Sequence, residues 1–435
     1  DANTNVNAQE GIHAPVINVT GDERGTRLGS SFTLWHDVTG EAGIAEAAGA
    51  FASGQFEKPT HSGSTGLQPG AFWTRFELRN DGPDAREVRL EYIDHQLIKL
   101  RAFERPSPPM PATREVPEFD QLVDLSLFER FEDRPVPHHR FVIPVRLAPG
   151  ESAEIFVQYE SHEMGFVFPE LRIWSPKQLT ATQSKELLAI SLIVGGLLVM
   201  AFIAFGGGLA TGSVFFHVYG VHALASVAVW FTVFGYTHQF LITEGFHWRY
   251  MSMTGAFSIF TGMMFAREFL RTADKLPRMD TLLLFQMFNS VFLFFAALLE
   301  LKTLAIVSIT LALLLYPSVS VAGFLRWLQG AREASYFTVA WSFLVLGLFL
   351  QALRDMGLVE HNLINYYWPA VASYGEMAVI MFAMGIRIRD LREEKVAAER
   401  ARADQLRESK ALLEEQVAER TRELVAAKTA AEIEA

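Results

Sequence analysis

Residues 186–206 read ELLAISLIVGGLLVMAFIAFG, one acid followed by twenty residues without a charge. As a helix rising about 1.5 Å per residue, this stretch covers about 30 Å, the depth of a bilayer's hydrocarbon core. Six further apolar runs of spanning length follow, at 213–235, 250–270, 280–299, 302–325, 335–353 and 366–386. Their connectors are short, which predicts a bundle of seven antiparallel spans over 181–387.

The flanks differ from this stretch and from each other. The 435 residues carry a formal net charge of −11, and nearly all of it lies in residues 1–180, which have 17 Lys and Arg against 27 Asp and Glu; the rest has 21 against 22. An acidic, polar first part argues against a nucleic-acid partner, and the apolar second part against a single globular enzyme. Without a cysteine there are no disulfides, thiolate metal sites or cysteine nucleophiles.

Within the first part, Ala71–Arg79 (AFWTRFELR) alternates, with Phe72, Phe76 and Leu78 on one face and Trp73, Arg75, Glu77 and Arg79 on the other. The stretches 86–93, 97–103, 141–147 and 153–159 repeat the period of two, and turn formers at Asn80–Pro83 and Ala148–Gly150 separate them. Such short strands predict a two-sheet sandwich or jelly roll. The Pro-rich, charged segment 105–134 reads as a long loop. After the last apolar run, residues 388–435 lack Pro and Gly, and Ala403, Leu406, Leu413, Val417, Leu424, Ala427 and Ala431 fall on one a/d seam that Lys410 and Arg420 interrupt. This predicts a signalling coiled coil and a homodimer; the alternative is one amphipathic helix lying on the membrane. The expected fold class is multidomain: an all-β sandwich or jelly-roll ectodomain over 1–180, a seven-helix transmembrane bundle over 181–387, and a C-terminal coiled coil over 388–435.

Basic residues set the expected orientation. Arg267, Arg271, Lys275 and Arg278 follow the third run, Arg326 and Arg332 the fifth, and Arg387, Arg389, Arg392 and Lys395 the seventh. The alternate connectors hold only Arg249, Lys302 and Arg354. The positive-inside rule puts the β domain outside and the C-terminus in the cytoplasm. Because the chain starts at Asp1 without Met, an export signal is expected to have been removed. The expected location is a bacterial inner membrane, with a periplasmic N-terminal domain.

The order of these parts resembles the bacterial seven-transmembrane receptors with diverse intracellular signalling modules, 7TMR-DISM. The residues that carry the resemblance are Gly70–Phe76 followed by Asn80, Arg134-Pro135, Phe141–Pro144 and Leu147–Gly150 in the first part. In the second they are Phe265–Leu270, Tyr374–Met377 and Gly385–Ile388. The β domain is similar to that family's second extracellular type, which resembles carbohydrate-binding modules. The tail 413–424 looks like the signalling helix before bacterial output domains, and 426–432 is similar to the run-in of sensor histidine kinases. The resemblance implies a receptor whose output module, a histidine kinase or alternatively a diguanylate cyclase, follows this segment; catalysis is expected there.

Candidate site residues follow from polarity in unusual places. Trp73, among polar neighbours on its face, is the expected ectodomain ligand platform with Arg75 and Arg134, for a carbohydrate or other small molecule. Packing of Trp73 beneath a loop, and ordinary ion pairs for the two arginines, are the alternatives. His138 and His139, read as strand neighbours on opposite faces, predict no metal site; His95 and His162 lie elsewhere. Polar residues inside spans are costly in lipid, which singles out His217, His222, Gln286, Asn289 and Glu376 as an intramembrane polar pocket, or else as structural hydrogen bonds between helices. Glu376 is expected to pair with a histidine or an amide. Pro317 is expected to kink the fifth span. Arg267 and Glu268 are expected at the membrane edge, as headgroup anchors or a latch on the signalling helix. Leu406, Lys410, Leu413, Val417, Arg420 and Leu424 define the signalling coil. No cofactor is expected; membrane lipid is an expected partner. A transporter or intramembrane enzyme is a weaker alternative, because no paired carboxylates or metal motif lies in the spans.

Overall fold

A computed structural model describes residues 16–58, 63–66, 68–95, 97–107, 119–161 and 166–434. Asp1, His162, residues 108–118 of the expected loop, and the side chains of Arg387, Lys395 and Ala431 lie outside the described residues. The chain divides into two compact units, 1–378 and 379–435.

The first unit begins with β1 (Ile17–Asn18), β2 (Arg24–Arg27), β3 (Thr33–Asp37), helix α1 (Ile44–Ala52), β4 (Ala71–Arg79), β5 (Arg86–Tyr92), β6 (Lys99–Ser107), β7 (Asp120–Ser126), β8 (Val142–Leu147), β9 (Ser152–Glu160) and β10 (Leu171–Trp174). Two sheets form. One follows the order β1-β4-β9-β6-β7, with β3 also paired to β4; the other runs β2-β10-β5-β8. Phe72, Phe76 and Leu78 of β4, Val88, Leu90 and Tyr92 of β5, and Ile155, Val157 and Tyr159 of β9 share one buried core between the sheets. The alternation in Ala71–Arg79 therefore sets which face points inward. Asn80, fully buried, ties two turns together: its Nδ2 donates to Asp84 O at 2.9 Å and to Leu147 O and Ala148 O at 3.1 and 3.0 Å, while Gly82 N donates to its Oδ1 at 3.0 Å.

The expected loop 105–134 is corrected in part. Its later portion holds β7, which pairs antiparallel with β6 (Leu100 opposite Leu125) and buries Val123 and Leu125. The alternation is there, but charged and Pro-rich neighbours hide it. The outer face of β4 also differs from expectation. Helix α1 lies over it, and Trp73 packs with Ala47, Ala50, Phe56, Phe103 and Phe156 in a second core.

The helices are α2 (Pro176–Thr211), α3 (Val214–Val233), α4 (Tyr236–Phe240), α5 (Arg249–Leu270), α6 (Thr272–Lys275), α7 (Pro277–Leu298), α8 (Lys302–Leu315), α9 (Ser318–Leu328), α10 (Glu333–Asp355) and α11 (Leu363–Glu434). Among the described residues, six segments are long and apolar enough to cross a membrane: α2, α3, α7, α8 with α9, α10, and 363–386 of α11. The expected third run, α5, is a 22-residue helix outside that set. It packs against both α3 and α7, and its buried face includes Ala256, Thr261, Gly262 and Ala266. A helix enclosed by other helices uses small and hydroxyl side chains where a lipid-facing one uses Leu and Phe. Helix α2 starts ten residues before the apolar stretch and rests its first turns on β2 and β5. Pro317 separates α8 from α9, as a missing N–H and ring clash require. Gly347 lets α10 approach the start of α11: a Cβ there would meet Trp368 Cδ1 at 2.8 Å and Pro369 Cα at 3.2 Å.

The second unit, 379–435, is helical as far as Glu434. Leu406, Leu413, Val417 and Leu424 are all more than half exposed. Lys410 pairs with Glu414 at 3.8 Å and Arg420 with Glu423 at 2.9 Å along the same helix.

Candidate functional site

A buried polar cluster of the first unit lies where the sandwich meets the helices. Glu91, at the end of β5, is buried and accepts from Trp174 Nε1 at 2.8 Å. It pairs with Arg140, and with Arg172 at 3.2 Å. Burial alone would raise its carboxyl, but Arg140, Arg172 and His138 hold it down at about 2. Arg140, in the segment before β8, reaches the other way to Glu186 of α2 at 3.1 Å and to Tyr367 Oη of α11 at 3.1 Å. Tyr367 in turn donates to Glu186 at 3.0 Å. One guanidinium thus bridges the sandwich, the first long helix and the start of the last.

A second bridge stands beside it. Arg354, at the end of α10, pairs with Asp355 at 2.6 Å and with Asp94 of the β domain at 3.7 Å. Its guanidinium lies 5.2 Å from the Phe168 ring centroid and 5.5 Å from that of Tyr366. His95 Nδ1 lies 3.1 Å from Tyr366 Oη. Arg27 pairs with Glu170 and donates to His361 O at 2.7 Å. Each of the carboxylates Glu91, Asp94, Glu186 and Asp355 thus has an arginine within 4 Å. Burial lowers the histidines here, to about 4 for His95 and His138 and about 3 for His361, so they are neutral at pH 7. Gly235, at φ +80°, leads into α4 with no room for a side chain, since a Cβ would sit 3.0 Å from His139 O.

The residues expected in an ectodomain ligand site do not come together. Trp73 is fully buried beneath α1, so its ring offers no sugar platform. Arg75 is paired with Glu154 at 2.6 Å and lies 4.5 Å from the Phe51 ring centroid. Arg134 belongs to the junction: it donates to His138 O at 2.8 Å, meets His238 Nδ1 of α4 at 3.0 Å, and sits between the rings of Phe131 and Phe141, each 4.8 Å away. His138 and His139 do not point to opposite faces. They precede β8 in an irregular segment, where their rings stack at 4.3 Å. Among the described residues no three metal-ligating side chains converge.

The intramembrane residues split into separate contacts. His217 bonds within its own helix, Nδ1 to Ser213 O at 3.1 Å. His222 Nδ1 meets Thr261 Oγ1 at 3.1 Å, and its ring stacks on Phe265 and Trp341. Gln286 reaches Ser318 Oγ at 3.4 Å, and Asn289 exchanges hydrogen bonds with Ser308 at 2.8 and 2.9 Å. Glu376 is 1% exposed, yet among the described residues neither carboxylate oxygen has a hydrogen-bond partner, so the expected pairing with a histidine or amide does not form there. Arg267 makes a bidentate pair with Asp280 at 2.7 and 2.9 Å, locking α5 to α7.

Sequence reasoning passed over most of the junction. Arg354, counted above as a connector residue, is buried. Glu186, read as the boundary of an apolar run, is an ion-pair partner. The available signal was a charge at the first or last position of a span, facing a domain that carries opposite charges.

A β sandwich joined through buried ion pairs to a set of long apolar helices defines a multi-pass membrane protein with an extracellular domain. The family model for the 7TM diverse intracellular signalling domain matches residues 186–387, and that for 7TMR-DISM extracellular domain 2 matches 29–175. The chain belongs to the 7TMR-DISM family of transmembrane sensory receptors. No curated protein matched it.

Proposed function

We propose that this chain is the sensory part of a dimeric inner-membrane receptor. The β domain is periplasmic, seven helices including α5 cross the membrane, and α11 enters the cytoplasm, where a histidine kinase follows. The observation that carries this reading is the Arg140 bridge. It ties the sandwich to Glu186 of α2 and Tyr367 of α11 in one buried network, so a shift of the β domain or of the bundle bears on the start of α11. That helix, with Pro369 in its second turn, runs to Glu434.

In a dimer the exposed leucines of the tail form the a/d seam, and Lys410 and Arg420 weaken it. Two arrangements of the coil then differ little in free energy, and the sensory half biases one of them. In the natural full-length protein, Arg420→Leu is expected to fix the output at one level whatever the stimulus. A normal response would remove the coil from the mechanism. Topology has a clean test because the chain has no cysteine: single cysteines at Asp81 and at Arg402 are expected to react with a membrane-impermeant maleimide, added to cells with a permeabilised outer membrane, at Asp81 only.

A further inference from the structure

Pro317 divides one apolar segment into α8, which packs on α7, and α9, which packs on α10. The wedge left above that break, between α8 and α10 with α5 behind it, is a cavity of about 590 Å³ whose lining is overwhelmingly apolar. Its size is that of a ligand pocket. Ile309, Leu313 and Leu348 form its walls, and Tyr316 with Pro317 closes the end farthest from the sandwich. From Thr303 to Tyr316, at about 1.5 Å per residue, the cavity follows about 20 Å of α8. Leu314 and Phe349 both line it and are exposed, at 75% and 58%, so it opens sideways on the face that lipid covers. At the sandwich end, hydroxyls from three parts of the chain line it: Ser161 after β9, Ser252 of α5 and Thr303 of α8. Lys302 and Asp355 are the charged side chains of the wall, and neither is free. Asp355 is paired with Arg354 at 2.6 Å, and Lys302 has an interaction of its own. No unengaged charge therefore offsets the cost of drawing an ionised head group out of water, whereas a hydroxyl both donates and accepts a hydrogen bond.

We infer that this cavity binds an uncharged single-chain lipid of the long-chain alcohol class, which enters sideways from the bilayer and places its hydroxyl head among Ser161, Ser252 and Thr303. The inference rests on the helices lying in a membrane and is independent of any signalling output. The head touches the sandwich, and the tail fills the wedge between α8 and α10 above Pro317. Occupancy therefore bears on the end of α10, where Arg354 meets Asp94.

The test is photolabelling of the full chain in phosphatidylcholine nanodiscs by 1-hexadecanol that carries a diazirine at mid-chain, with the labelled peptides mapped by mass spectrometry. Label is expected to concentrate on 302–317 and 345–356, to saturate, and to be displaced by unlabelled 1-hexadecanol. Leu348→Trp, which fills the wedge, should weaken that labelling about tenfold or more. Leu314→Trp, which narrows the opening, should weaken it several-fold; Leu314 is exposed, so this variant remains informative even where Leu348→Trp lowers the yield of folded protein. Phe202→Trp, on the exposed face of α2 and outside the cavity, should leave it unchanged. Label spread over α2 as densely as over α8 and α10, and not displaced, would mean that bulk phospholipid tails fill the space and overturns the inference. So does undiminished labelling of both cavity variants, or an equal loss in Phe202→Trp. Hexadecyl sulfate and 1-hexadecylamine, whose heads are charged, are expected to compete at least tenfold less well than the alcohol, and equal potency of either overturns the head-group assignment.

Discussion

Two buried polar clusters in this protein are solved in opposite ways. At the junction under the sandwich, each of Glu91, Asp94, Glu186 and Asp355 faces an arginine within 4 Å, and Tyr367 donates to Glu186. Within the helices the polar groups are scattered in pairs, of which Arg267 with Asp280 is ionic, and Glu376 has neither a hydrogen bond nor an ion pair among the described residues. The first cluster couples elements, because removing any member strands a buried charge. The second contributes little cohesion; there the helices are held by close approach of small residues, as at Gly347 and Gly262.

Arg140→Met tests the contrast most severely. It leaves Glu91 and Glu186 without their shared cation and should cost about 3–5 kcal/mol, the usual penalty for breaking a buried pair on one side. Thermal unfolding of the full chain in nanodiscs would record a large drop in melting temperature, and an unchanged melt would mean that the bridge does not hold the junction. Acid acts on the same cluster. His95, His138 and His361 sit below their ordinary value of 6.5, so the unfolded chain takes up protons first. Their stabilisation is complete above about pH 6.5 and is lost as pH falls through about 4 and then 3, and Glu91 follows between 4.5 and about 2. Melting temperature measured from pH 7 to pH 4 should fall steadily; a flat profile would mean that these histidines are not buried neutral.

The helical part should respond in two directions, losing stability where a close approach is crowded and gaining it where Glu376 is removed. Gly347→Leu forces α10 away from Trp368 and Pro369 and is expected to cost about 1–3 kcal/mol by overpacking, read by the same unfolding assay. Glu376→Leu should stabilise, by about 1–3 kcal/mol, because it removes a buried group with no hydrogen-bond partner among the described residues. A loss of stability on that change would reveal a partner that the packing does not show. Smallest of all is Lys410→Ala, whose 3.8 Å pair with Glu414 is exposed on both sides. No measurable change in the melt is expected from the loss of that pair.

The strands at 71–79, 86–92, 142–147 and 152–160 and most long helices were legible because alternation and apolar length are local properties, written in consecutive residues. Strand β7 was missed because its alternation lies beside Pro-rich and charged segments that read as loop. Trp73 was misread for a related reason. Period two says that it faces away from Phe72, but not that α1 returns to cover that face. The junction was the least legible part. Arg27, Glu91, Arg140, Glu186, Arg354 and Tyr367 are spread over most of the chain, and each alone resembles an ordinary surface charge or a membrane-edge aromatic.

The sequence by itself therefore determined the β-rich first part, the apolar helices, the unbroken charged tail and the family to which the whole belongs, since each is a matter of composition and period along the chain. Only the tertiary structure decided which charges meet, which tryptophan is hidden and where an open cavity remains. Those outcomes depend on contacts between residues tens to hundreds of positions apart, whose free energy comes from mutual desolvation and pairing that no local window of sequence contains.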